Sequence, residues 1–328
     1  MIENQRDITF DIMKGIGILL VLIGHVWSVY IPITHHIITS FHMPLFFIVA
    51  GYFSKSYTTH LEALSSIKKY FTRLVVPMVL TQTAMIVWTA GMAILKGNGL
   101  QAVIIQTTAL FWADVLCPST PYGPAPLGVV WFLLALFVAK SILLFLSRLQ
   151  VWAIPVSIAL ACGALLLQQV FPYSIWCISL GLTALPFVTI GWLCRHHLLP
   201  VWVNVVAVLC WILALLFSNM DMYSYTYGFW PLDVVGACGG TYCLYLVCHR
   251  IARYPSAFLT RALAYIGIIS LAIMCVHCFE IESHLGNHLR ASLGINLSTG
   301  WLYLWRYALT IALAVGLVHI PKVKKLFI

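Results

Sequence analysis

The chain has 328 residues, of which 62% are hydrophobic and only 8% charged, with a net charge of +9 and a mean hydropathy of +0.98. A soluble domain carries about a quarter charged residues, so this chain cannot coat a globular surface with polar side chains, and lipid must cover much of it. The positive balance does not point to nucleic acid, because no basic cluster alternates with aromatics on a polar face.

Apolar stretches long enough to cross the hydrocarbon layer as helices recur along the chain. The expected fold is therefore an all-α integral membrane protein with ten transmembrane spans, at 12–30, 37–54, 74–95, 128–147, 152–171, 174–193, 199–218, 231–250, 262–282 and 299–319. The runs are continuously apolar rather than alternating, which excludes a transmembrane β-barrel. The first run lacks a small-residue cleavage pattern and reads as a span rather than a removable leader. Residues 1–328 read as one membrane domain with no appended soluble domain, and oligomeric state is left open. Segment 55–73 is basic and mildly amphipathic, and 101–112 within the long segment 96–127 reads as an interfacial or re-entrant helix. With the N-terminus inside, Arg6, Lys14, Lys55, Lys68, Lys69, Arg73, Arg148, Arg195, Arg250, Arg253, Arg261, Lys322, Lys324 and Lys325 fall on one side, and only Lys96 and Arg290 on the other. Both termini are therefore expected in the cytoplasm. The cysteines lie mostly in apolar runs and read as packing groups. Cys275 and Cys278 have zinc-like spacing but no second pair to close a site, so no metal is expected.

Ionisable side chains inside spans are costly and ask for a reason. The first span holds His25, the second His42, and the ninth His277 with Glu280 and Glu282 beyond it. Counting from the span ends, the three histidines lie at one depth, about 7 Å below the outer surface. Three such groups suit one cavity opening outward. The plainer alternative is that each bonds a neighbouring helix, and a transporter using them as a proton relay is a rival from another class. Lys14 lies eleven residues before His25, near the inner interface, and Asp11 is spaced to pair with it. By itself that pair reads as an interfacial anchor.

At these residues the sequence resembles the acyltransferase-3 family of membrane-bound acyltransferases. The resemblance lies in five blocks in order: Asp11-x-x-Lys14-Gly15-Ile16-Gly17 running to Gly24-His25; Phe41-His42-Met43-Pro44-Leu45-Phe46-Phe47 closing with Gly51-Tyr52-Phe53; Lys68-Lys69-Tyr70-Phe71-Thr72-Arg73 entering the third span; Trp131–Phe137; and Tyr265–Ile273 ending at His277. Many members carry Arg where this chain has Lys14, and the Lys form looks like the branch of fucose O-acetylases and similar sugar acetyltransferases. Charge is kept there, but bidentate recognition is lost.

The resemblance implies transfer of an acyl group, usually acetyl from cytoplasmic acetyl-CoA, to a hydroxyl of a sugar, glycan or lipid-linked saccharide in a bacterial cytoplasmic membrane. It implies His25 and His42 as catalytic residues. Lys14, Lys68, Lys69 and Arg73 are expected to hold the donor, and Asp11, Tyr52, Trp131, His277 and Glu280 to surround the acceptor, with Glu280 orienting a histidine or binding sugar hydroxyls.

Overall fold

The computed structural model describes residues 7–25, 32–57, 59–119, 128–195 and 200–328. The protein is a helical, multi-pass membrane protein. Among the described residues, five helical runs are long and apolar enough to cross a membrane, and six if the bent pair described below is one span.

Helix α1 (Ile8–Gly24) begins at Asp7, whose carboxylate accepts the Thr9 N–H at 2.9 Å, and ends with His25 as its C-terminal cap residue. The rest of the predicted 12–30 span lies outside the described residues. The predicted 37–54 span is two helices, α2 (Pro32–Thr39) and α3 (His42–Tyr52). The break at Ser40–Phe41 has a local cause. Pro44 has no N–H, and its ring excludes the carbonyl four residues back, that of Ser40, from a continuous helix.

Segment 60–95 is helical throughout. Helix α4 (His60–Tyr70) opens with a Thr59/Glu62 capping box, passes through a five-residue π turn over Phe71–Val75 and continues as α5 (Val76–Leu95). Pro77, at the start of α5, cannot donate to Arg73, which accounts for the widened turn. The basic segment expected to be mildly amphipathic is thus α4. The expected interfacial helix is α6 (Leu100–Leu116), longer than predicted and largely exposed.

Helices α7 (Trp131–Leu146) and α8 (Ala153–Val170) match two predicted spans. They are separated by a kink at Gln150, which takes φ +51°. Helices α9 (Ile178–Cys194), α10 (Trp202–Phe217) and α11 (Trp230–Ala252) follow, with a two-rung hairpin, β1 (Met220–Asp221) and β2 (Thr226–Tyr227), between the last two. The predicted 262–282 span is bent by 68° at Ile269 into α12 (Phe258–Ile268) and α13 (Ser270–Ser283). Then come α14 (Leu285–Ser292), α15 (Thr299–His319) and α16 (Pro321–Phe327).

Without water to drive apolar surfaces together, helices in a bilayer hold by close backbone approach. Helix α1 lies against α12 with Gly15 and Gly267 facing each other's backbone. A Cβ on Gly267 would strike the Asp11 carbonyl, and one on Gly15 the Leu263 carbonyl. Helices α3 and α9 meet the same way, Gly51 against Val188 and Gly191 against Ile48. Gly267→Ala is therefore expected to push α12 off α1 and cost about 1–3 kcal/mol as an overpacking substitution. Ala substitution at Gly91, which faces open space, should cost nothing measurable. Paired denaturation curves in detergent would check this.

Candidate functional site

The site is set by α1. Eleven residues of helix turn through about three revolutions, so Lys14 and His25 share one face, separated by about 16 Å along the axis. Lys14 Nζ pairs with Asp11 Oδ1 at 2.8 Å. Asp11 is only 4% exposed, and the two charges neutralise one another where α1 packs on α12. The spacing expected from sequence is thus a formed ion pair.

At the other end of α1, His25 meets His277 of α13, ring centroids 5.3 Å apart and planes at 61°. Two helices far apart in sequence place imidazoles edge to face. His277 is 1% exposed, and among the described residues neither ring nitrogen has a hydrogen-bond partner. Tyr307 of α15 stands on its far side, centroids 6.5 Å apart. The Tyr307 hydroxyl and that of Thr310, one turn along, are also buried without partners. Buried polar atoms are nearly always paired, so this concentration of open donors and acceptors beside two imidazoles suits a polar ligand.

His42 opens α3 and donates Nδ1–H to the Ile38 carbonyl at 2.8 Å. That bond fixes the tautomer and leaves Nε2 as an acceptor. His42 lies within the electrostatic reach of His25, His35 and Asp221. The histidine level read from span ends therefore brings His25 and His277 into contact and His42 nearby.

Glu280 differs from expectation. It is 1% exposed and held by Arg306 of α15, with Nε to Oε1 at 2.7 Å and a second nitrogen to Oε2 at 2.9 Å. Its carboxylate is thus engaged by a guanidinium, where the sequence offers it to a histidine or a sugar. Glu280 and His277 are one helical turn apart, and Arg306 adjoins Tyr307, so the ion pair sets how α13 presents His277 to α15. Arg306, Tyr307 and Thr310 were not singled out from the sequence. Only Arg306 carried a signal, as a basic residue inside the last span.

The remaining predicted residues divide between the two ends of the bundle. Trp131, 3% exposed, starts α7 and contacts Phe132 and Tyr223 at centroid distances of 6.3 and 6.1 Å. Tyr223 in turn feels the charge of Glu282 on α13, so Trp131 belongs to the histidine end. Tyr52 closes α3 ten residues after His42, about 15 Å away, and stacks on Phe10 at 4.4 Å. It is at the Lys14 end, apart from His277. Lys68, Lys69 and Arg73 lie on α4 and the π turn, all three exposed. Beside them Lys140 caps the Tyr70 ring at 4.4 Å. Cys275 and Cys278 are buried in α13, and among the described residues no three ligand-type side chains converge.

A family model described as an acyltransferase domain matches residues 7–319. Among curated proteins, the nodulation protein NolL of Mesorhizobium japonicum is 28% identical over 206 residues, covering 58% of this chain and 50% of that protein. NolL of Sinorhizobium fredii is 24% identical over 206 residues, covering 58% of this chain and 49% of that protein. The chain thus matches about half the length of these curated relatives. No solved structure matches significantly.

Proposed function

The chain belongs to the acyltransferase-3 family of membrane-bound acyltransferases, and on that premise we propose that it moves an acetyl group from cytoplasmic acetyl-CoA to a hydroxyl of a sugar, glycan or lipid-linked saccharide. The observation that carries this reading is the contact of His25 with His277 among unpartnered buried polar atoms. It lies on the α1 face that begins at Lys14. The positive-inside arrangement supports ten crossings with both termini in the cytoplasm of a bacterial inner membrane, which sets Lys14 inside and the histidines near the outer face.

In this reading Lys14 and the basic stretch Lys68, Lys69 and Arg73 hold the phosphates of the donor by charge-assisted hydrogen bonds. The thin pantetheine arm carries the thioester up to the histidine level. A neutral His25 accepts the proton of the acceptor hydroxyl as its oxygen bonds to the thioester carbonyl carbon. The C–S bond then breaks, and the CoA thiolate leaves with a proton returned by the imidazolium. His277, with both nitrogens uncommitted, and the His42 ring stand by to orient His25 or to steady the oxyanion. An acetyl group passing through His25 itself is the alternative within the same geometry. Trp131 offers the acceptor an aromatic wall.

The test uses purified protein in nanodiscs with labelled acetyl-CoA and a panel of glycans and lipid-linked sugars. The expected result is acceptor-dependent release of CoA with label on the acceptor. If neither acetyl-CoA nor any other acyl-CoA is bound or consumed, the reading fails.

A further inference from the structure

A cavity of about 590 Å³ opens at the Lys14 end of the bundle. It lies between the start of α1, the ends of α3 and α9, the first half of α10 and the length of α11 from Val235 to Tyr245. Its walls are mostly apolar, with Met13, Ile190, Ala207 and Cys238 among them. Of the α1 residues lining it, Phe10 points about 40° and Met13 about 100° round the helix from Lys14. The cavity therefore lies beside the Lys14 face, and Tyr52, expected near the acceptor, is one of its lining residues.

Three features define what would fill it. Next to the lining residue Cys210 the wall is braced: Trp211 donates its indole N–H to Ser40 Oγ at 3.0 Å and packs on Phe41, centroids 5.3 Å apart. The side is open: Val206 and Val235, both lining residues, are 43% and 50% exposed on helices that face lipid. Among the described residues the entrance carries the cation Arg195, which caps α9 and donates one N–H to the Ser54 carbonyl at 3.1 Å. A guanidinium has five N–H donors, so that bond orients the group without exhausting it. Within the wall, Thr241 is 3% exposed and its hydroxyl has no partner. The stretch of α10 from Val203 to Cys210 gives the cavity a depth of about 10 Å.

An apolar cavity, open sideways to the bilayer and with a cation at its mouth, suits a hydrocarbon chain below an anionic headgroup. We propose that it is a binding site for one acyl chain of an anionic membrane phospholipid, with the phosphate on Arg195 and the ester region within reach of the Thr241 hydroxyl. The source is the surrounding bilayer.

The experiment uses the full chain in nanodiscs containing phosphatidylglycerol with a photoactivatable group in one tail, or the matching phosphatidylcholine, followed by peptide mapping. In the wild type, phosphatidylglycerol cross-links should concentrate in 203–210 and 235–245 and exceed those of phosphatidylcholine several-fold, because the choline ammonium beside the shared phosphate repels the Arg195 guanidinium. Arg195→Gln should bring the two lipids level. Cys238→Trp, which fills the cavity, should abolish labelling there while retaining it on outer helices. Cross-links spread evenly over lipid-facing helices, or no headgroup preference in the wild type, would overturn the proposal. So would labelling displaced by excess acetyl-CoA, which would make the cavity a donor site. If Cys238→Trp does not fold, the wild-type map and Arg195→Gln decide alone. Because the readout needs no turnover, its failure is distinguishable from failure of the transferase reading.

Discussion

Glu280→Ala is expected to destabilise the protein by about 3–5 kcal/mol, because it strands the Arg306 guanidinium in a buried setting. The Glu280 side chain is 2% accessible and that of Arg306 15%, with a shortest contact of 2.7 Å. Forming such a pair from two hydrated ions yields little net energy, since desolvation offsets most of the attraction. Breaking it is another matter, because the remaining charge has neither partner nor water. Gly286 sharpens the case: a Cβ there would come within 2.8 Å of Glu280 Oε1, so the turn into α14 is built tightly around the carboxylate. The double variant Glu280→Leu/Arg306→Met removes both charges and should recover most of the loss. Arg306→Lys should recover little, since one ammonium cannot bridge two carboxylate oxygens. Chemical denaturation in detergent micelles separates these cases. Equal instability of the single and double variants would show that the pair's role is packing rather than charge.

That ion pair also marks where sequence reasoning stopped. Hydropathy locates apolar stretches because a bilayer admits few ionisable groups, and each of the ten predicted stretches coincides at least in part with described helix. What hydropathy does not carry is continuity. Pro44 divides the second stretch, and Ile269 turns the ninth through 68°, although both read as uninterrupted apolar runs. The Pro44 signal was in the sequence and follows from its missing N–H; the bend at Ile269 has no comparable residue signal.

Spacing from the span ends puts His25, His42 and His277 at one expected level but says nothing of their facing, and the contact of His25 with His277 depends on how α1 and α13 rotate and approach. Gly15 and Gly267 fix the approach of α1 to α12, from which α13 turns away at Ile269, and neither reveals its partner in one dimension. For the same reason Glu280 was offered to a histidine or a sugar. Its partner Arg306 is 26 residues on, and only the packing of α13 on α15 joins them. The Lys14 and Asp11 pair was legible because it lies within one helical turn, where spacing alone determines proximity.

The central claim is that His25 performs the transfer. An imidazole that accepts a proton in the transition state contributes about 10²–10⁴-fold, and one that carries the acetyl group itself is indispensable. Either way the loss should fall on the chemical step rather than on donor binding, since Lys14 lies about 16 Å away along the helix axis. The most direct measurement compares wild type and His25→Ala for single-turnover transfer from labelled acetyl-CoA, with donor affinity and thermal unfolding recorded on the same samples. The account predicts unchanged folding, donor affinity within about twofold, and transfer reduced by at least about a hundredfold. Transfer at the wild-type rate by a folded His25→Ala protein would contradict it.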